Sequence, residues 1–495
     1  MIAQFPSHRN DLCVDDMQRT GYQLMTMFPD VITPATLGLD QDAPIEAFMQ
    51  AGASHLWLHA SPTQALATQV DRRILVAGRG CRVMDAQGRT YLDALSGQWL
   101  VNVGHGREAI AEAMAQQAKV LAYGNASRAA TLPAIQLAAV LARLTPGDLS
   151  TVFFSSGGSE AVESALKIAR QYHALRGEPE RYKVIARRGS YHGATYGAMS
   201  VSGSRSGVDP YFGPLLPGAF SVSAPYCYRC DYRKTYPECD VYCVDAIEDL
   251  MRYESPNTVA AVIAEPISAA CGIVVPPAAY LPRLREICDR YGVLLILDEV
   301  ITGFGRTGKM FASEHWEVVP DIMTLAKGLS SGYAPIAATI CRQPVADVFG
   351  GANGKAIGHL LTFGGQPVAC AAALANLEIL QRENLVGNSE KQGAYLLAQL
   401  HDLASRHPTV GDVRGLGLLC ALELVMDRRT RQPFPLDGPE ITYLLDQLAE
   451  LGLLTRADSN LYLAPPLCIE RHEIDQLIGI VDTALSHFEE AFSYL

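Results

Sequence analysis

The chain has 495 residues, 49% hydrophobic and 19% charged, which is enough to bury the two or three cores of an ordinary globular enzyme. A net charge of −12 and a pI near 5.5 argue against nucleic-acid or anionic-membrane partners. Nothing near Met1 resembles a signal peptide, no apolar run approaches the ~20 residues of a membrane span, and twelve cysteines without secretory features suggest reduced thiols in a cytoplasmic protein.

Residues 1–54 read as an extension, with a helical pattern over Asp15–Phe28 and a proline-bearing loop over Pro29–Pro44. Short alternating runs broken by glycine turns follow: Ile74–Val76, Arg82–Asp85 and Tyr91–Asp93. Ser96-Gly97-Gln98-Trp99 comes next; one of only three tryptophans, Trp99 is open to a core or a binding role.

Thr151–Phe154 is a compact β-branched and aromatic run leading into Ser155-Ser156-Gly157-Gly158-Ser159-Glu160. An amphipathic helix follows, with Val162, Ala165, Leu166 and Ala169 on one face. Strand, Gly/Ser turn and helix N-terminus together can hold a phosphate through free backbone N–H groups and the helix dipole. No Gly-Lys-Ser/Thr follows, so this is not a Walker loop. Lys183–Ala186 is the next strand, ahead of Ser190-Tyr191-His192-Gly193. Cys227, Cys230, Cys239 and Cys243 form a C-x2-C-x8-C-x3-C cluster. Its spacing suits a tetrahedral zinc, though the loop is short for paired knuckles, and buried thiols in a packed loop fit as well.

Val259–Ala264 reads as a strand buried on both faces and ends in Glu265, open to a site role or a structural ion pair. Leu281, Leu284, Ile287, Cys288 and Tyr291 make a helical stripe that stops at Gly292. Val293–Leu297 is a second buried strand and delivers Asp298 and Glu299 to its end, where open α/β sheets bind ligands. A third, Asp321–Ala326, ends on Lys327. The chain holds eight lysines against 32 arginines, so a lysine in that place is not routine surface decoration. An acid able to pair with a ring nitrogen, beside a lysine able to form an imine, is what pyridoxal phosphate chemistry requires.

The segments LDEVITGFGRTG, from Leu297 to Gly308, and PDIMTLAKGLSSGYAP, from Pro320 to Pro335, resemble the centre of the class III aminotransferases. These are the omega-transaminase group of pyridoxal-phosphate fold type I, and the likeness runs in order from about Leu56 to near the C-terminus. It implies an α/β fold with a mostly parallel central sheet in a large domain, plus a smaller α+β domain drawn from both chain ends. The boundaries would be an extension over 1–54, the small domain over 55–99 and 366–495, and the large cofactor-binding domain over 100–365.

The resemblance implies a role for each candidate residue. Lys327 would hold pyridoxal 5′-phosphate as an imine and, once displaced, carry the proton during transamination. Asp298 would keep the ring nitrogen protonated, Tyr191 would stack on one ring face and Val300 or Ile301 would pack on the other. Gly157, Gly158 and Ser159 would take the phosphate, where many relatives have Ser-Gly-Ser and this chain has one hydroxyl fewer. Glu265 would sit near the cofactor. Thr362, in His359–Pro367, would reach the phosphate of the neighbouring subunit, so the active site would lie at a homodimer interface. Trp99 would form an aromatic wall of the substrate pocket, and Arg414, in Val410–Gly417, would read a substrate carboxylate unless tied to Asp412. No metal is implied.

The implied reaction is ping-pong transfer of an amino group from an amine or ω-amino donor to a 2-oxo acid such as pyruvate or 2-oxoglutarate. Decarboxylases, racemases and aminomutases share the scaffold, and a non-catalytic cofactor-binding protein is the reading from another class.

Overall fold

The computed structural model describes residues 43–63, 73–203, 210–350, 354–435 and 438–494. The helical pattern expected over Asp15–Phe28 and most of the loop that follows it lie outside these residues. The chain divides into two compact units, 1–92 and 93–495.

In the first unit, helix α1 (Ile45–His55) precedes an antiparallel meander of β1 (Leu75–Arg79), β2 (Arg82–Asp85) and β3 (Thr90–Asp93). Asp85 shapes the β2–β3 turn. Its Oδ1 accepts the N–H groups of Gln87 and Arg89 at 3.0 and 2.9 Å, and its Oδ2 accepts the Tyr91 hydroxyl at 2.7 Å.

The second unit is built on a seven-stranded sheet. Its strands are β4 (Leu149–Ser155), β5 (Lys183–Arg187), β6 (Ala219–Val222), β7 (Val259–Ala264), β8 (Leu294–Asp298), β9 (Ile322–Leu325) and β10 (Ala337–Arg342). The spatial order is β4-β10-β9-β8-β7-β5-β6. β9, β8, β7, β5 and β6 pair in parallel, while β10 is antiparallel to both of its neighbours. The sheet is thus mostly parallel, as expected.

Every residue of β7, β8 and β9 is buried because helices cover both faces. Successive side chains enter opposite cores. Leu295 and Leu297 pack with Leu281, Leu284 and Ile287 of the helix Tyr280–Tyr291. Leu294 and Ile296 pack with Val162, Ala165 and Ile168 of the helix Gly158–Leu175. A smaller antiparallel sheet of β11 (Val410–Gly415), β12 (Cys420–Asp427), β13 (Gln432–Pro433) and β14 (Asn460–Leu463) follows, with long helices over Leu385–Arg406 and Arg471–Ala491. Among the described residues, no helix is long and apolar enough to cross a membrane.

Candidate active site

The parallel strands end on the residues singled out in the sequence. Glu265 follows β7, Asp298 closes β8 and Lys327 lies two residues past β9, so three neighbouring strands present three functional side chains side by side. The loop after β5 adds Tyr191 and His192, and the turn after β4 leads into the helix that starts at Gly158. Together they line a cavity of ≈ 230 Å³ that includes Gly158, Ser159, Tyr191, His192, Glu265, Asp298, Val300 and Lys327.

Asp298 is fixed on both oxygens. Oδ2 lies 2.7 Å from His192 Nδ1, while Oδ1 accepts from Val300 N at 3.1 Å and Thr324 Oγ1 at 3.0 Å. The adjacent Glu299 is wholly buried and turned the other way, accepting from Thr302 Oγ1, Ala312 N and Ser313 N, which makes it a loop anchor. Lys327 stands in the left-handed region at φ 41°. Burial pulls its ammonium down from 10.5 to about 8, against the opposing attraction of Asp298 and Glu265. Burial also pushes the Glu265 carboxyl up, only partly offset by Arg187, whose Nη2 bonds the Glu265 carbonyl and Ser268 Oγ.

The phosphate-type turn has the geometry its sequence suggests. Gly157 caps an 18-residue helix whose first N–H groups have no partner within the helix. Ser159 Oγ accepts Ala194 N at 2.9 Å. Gly193, at φ 135°, crosses so close that a Cβ there would meet Ser159 Cα at 2.8 Å. Val300 packs against Ala161, Ala326 and Ala337 at the floor.

Four candidates do not line this cavity, the first being Gly157, one residue before the lining Gly158. Trp99 is buried, edge-on to Tyr462 with centroids 5.6 Å apart; its neighbour Gln98 lines the cavity instead. Thr362 is exposed on the loop before the helix Pro367–Arg382. Arg414 is held by Asp412 Oδ2 at 2.8 Å, Glu423 Oε2 at 2.6 Å, Gly272 O at 2.6 Å and Asn460 Oδ1 at 2.5 Å, above the Tyr226 ring. The four cysteines border one small pocket, but Cys227 is exposed and the other three are half-buried rather than buried. Among the described residues, no group of three or more His, Cys, Asp or Glu is placed to hold a metal.

Sequence reasoning passed over the bond from His192 to Asp298, and with it Thr324 and Gln98. Only His192, adjacent to Tyr191, carried a signal.

A class III aminotransferase family model matches residues 65–485. A probable aminotransferase of Mycobacterium tuberculosis is 41% identical over 94% of this chain and 100% of its own length. A taurine–pyruvate aminotransferase of Rhodobacter capsulatus is 40% identical over 90% of this chain and 98% of its own. A thermostable (S)-enantioselective omega-transaminase from Thermomicrobium roseum superposes with a TM-score of 0.84 at 41% identity, covering 90% of this chain and 99% of the other. The chain belongs to the class III aminotransferases. It is a fold type I, pyridoxal-phosphate-dependent enzyme that transfers an amino group from an amine to a 2-oxo acid.

The residues present fit that cofactor. His192 Nε2 and Glu265 Oε2 are buried with no hydrogen-bond partner, a lysine of depressed basicity faces two acids, and the Gly158–Ser159 turn leaves amides for a phosphate.

Proposed function

We propose that Lys327 is the catalytic residue of this transaminase, binding the cofactor and then, as a free amine, moving the proton between substrate carbon and cofactor. The supporting observation is the row Glu265, Asp298, Lys327 at the ends of three adjacent parallel strands. The bound cofactor supplies an electron-accepting ring that makes the carbon next to nitrogen acidic. Asp298, anchored by His192 and Thr324, holds a negative charge where the ring nitrogen would be kept protonated. Burial lowers the Lys327 ammonium to about 8, so that it gives up its proton more readily than a free lysine. Tyr191 and Val300 would flank the ring, and Gly157, Gly158 and Ser159 would take the phosphate.

The donor class we propose is a primary amine or ω-amino compound, with pyruvate or 2-oxoglutarate as acceptor, in the cytoplasm. We assign the protein as a homodimer in which Thr362 serves the partner's phosphate. What supports this is an exposed apolar face around Thr362: Leu360 and Phe363 are 64% and 60% exposed, and Leu360 shares a broad groove with Ile135. The division into a large domain over 100–365 and a small one over 55–99 with 366–495 belongs to the same reading, with residues 1–54 as an extension.

The test is the visible spectrum of purified protein with a panel of amines and no keto acid. Bleaching by some amines, and return of the yellow band with pyruvate or 2-oxoglutarate, supports the proposal and outlines the donor. Release of carbon dioxide, or racemised substrate with an unchanged band, overturns it.

A further inference from the structure

An arginine is costly to bury, because its guanidinium does not shed its charge and a buried charge must be paired. Arg187 is nevertheless only 1% exposed. It is the last residue of β5, where Val184 and Ala186 face one core and Ile185 the other. Alternation therefore turns Arg187 toward the second core, where Tyr280 packs. The guanidinium lies over the Tyr280 ring, 5.8 Å from its centroid. Its Nη2 donates to the Glu265 carbonyl and, at 2.9 Å, to Ser268 Oγ, and stands 3.7 Å from Glu265 Oε2. That is the one ion pair Arg187 makes among the described residues. Its Nε and Nη1 are buried without a hydrogen-bond partner, and so is Glu265 Oε2.

β5 and β7 pair in parallel, so a fixed positive charge at the end of one strand stands beside the acid that follows the other. Glu265 in turn shares the cavity lining with Lys327. The groups that face Glu265 are Arg187, His192, Asp298, Lys327 and the Cys271 thiol. Burial favours the neutral acid, while His192 and Arg187 favour the carboxylate. Of these groups only the guanidinium keeps its charge at every working pH, and a neutral Glu265 would leave it without a counter-charge. The charges that act on Lys327 are Asp298 and Glu265, and Arg187 is not among them. An effect of Arg187 on the amine must therefore pass through Glu265.

We infer that Arg187 is a positioning residue whose guanidinium holds Glu265 as a carboxylate on the cavity lining, and so keeps a second negative charge, besides that of Asp298, facing the Lys327 amine. This rests on the reading of Lys327 given above. Without the guanidinium Glu265 takes up a proton, and Lys327 loses one of the two acids that favour its charged form. Its ammonium then gives up the proton at lower pH.

The test follows attachment of pyridoxal 5′-phosphate to cofactor-free protein, read as the rate at which the visible band appears between about pH 6 and 10. Only a free amine attaches, so the rate climbs with pH through the Lys327 value. Arg187→Met is expected to move that climb down by about one pH unit, a roughly tenfold faster rate at pH 7. Glu265→Gln is expected to move it equally far, and the variant carrying both changes no further than either. A folded Arg187→Met with the wild-type profile overturns the inference. So does a double variant in which the two shifts add, because Arg187 would then act by another route. If Arg187→Met does not fold, Glu265→Gln against the double variant, which loses the buried charge together with its partner, decides by the same comparison. A wild type that forms no band overturns the Lys327 reading, and this inference with it.

Discussion

His192 Nδ1, on the loop that follows β5, and Asp298 Oδ2, at the end of β8, lie 2.7 Å apart, both buried. The ring therefore orients the carboxylate, and we assign His192 as a positioning residue. Replacing His192 with Phe is expected to reduce the rate of the amine half-reaction by about tenfold, or ~1.4 kcal/mol, while shifting the visible band and its pH dependence. Asp298→Asn is expected to cost much more, since it removes the charge itself. An unshifted band in His192→Phe would leave the histidine a packing role only.

Lys327 couples the site to stability. Its folded-state value of about 8 lies below the 10.5 of a free lysine. The unfolded chain therefore binds more protons between these values, and stability of the cofactor-free protein rises with pH across that window. Below about pH 8 the buried ammonium carries its full cost. Lys327→Met is thus expected to be more stable than wild type by about 3 kcal/mol at pH 7, with the gap narrowing from about pH 8 to 10.5. Denaturant unfolding at pH 7 and pH 10 checks this; a gap independent of pH would contradict the assigned environment.

Gly193 passes Ser159 at a distance that no side chain tolerates. Gly193→Ala combines that clash with φ 135°, which L-residues avoid. The expected cost is about 1–3 kcal/mol, felt at the helix N-terminus that faces the cavity. Cofactor affinity measured by equilibrium titration should fall, while Gly177→Ala, with open space around it, serves as the distant control.

Much of this site could be read in advance, because its signals are local. The runs before Glu265, Asp298 and Lys327 are apolar on both faces, and each ends on a polar residue that a buried strand would otherwise exclude. β10 was not legible: Ala337–Arg342 is short and alanine-rich, and its place between β4 and β9 comes from pairing partners far away in sequence. The surroundings of Arg414 were hidden for the same reason, since Gly272 and Asn460 are 142 and 46 residues distant. Trp99, which the resemblance put at the pocket, lies behind it because the left-handed turn at Ser96, Gly97 and Trp99 brings Gln98 to the lining instead.

Glu423 is buried and gathers Arg414, Arg229 and the Tyr226 hydroxyl. Glu423→Ala would leave the arginines short of a counter-charge and is expected to destabilise the fold by about 3–5 kcal/mol. Asp412→Ala, at a more open position, should cost clearly less. Thermal unfolding of the two variants side by side is the measurement.

His407 is held between Glu489 Oε2 at 2.8 Å and Asp482 Oδ1 at 2.7 Å, joining the end of one long helix to the C-terminal one. Burial pulls the imidazole down, but the two carboxylates more than reverse this, and its value is raised. Asp482 and Glu489 are lowered in spite of burial, chiefly through His407. The histidine's contribution is complete below about pH 6.5 and lost as pH rises through its folded value; that of the acids is complete above about pH 4.5 and lost on acidification. His407→Gln should therefore be most destabilising near pH 5–6, by about 1–2 kcal/mol, and least above pH 8. An equal loss at both pH values would sink this assignment.

Because Ala264 pairs with Leu297, Glu265 and Asp298 stand level on adjacent parallel strands, one inter-strand repeat or about 4.8 Å apart along the backbone, while Lys327 lies beyond Thr324, the partner of Asp298. The hydrogen-bonded ladder thus acts as a ruler for the chemistry. Loops around the cavity can lengthen, shorten or change their side chains without altering the interval at which the two acids face a ligand. A scaffold of this kind can be fitted to new amines by editing its rim, while the two acids stay in register.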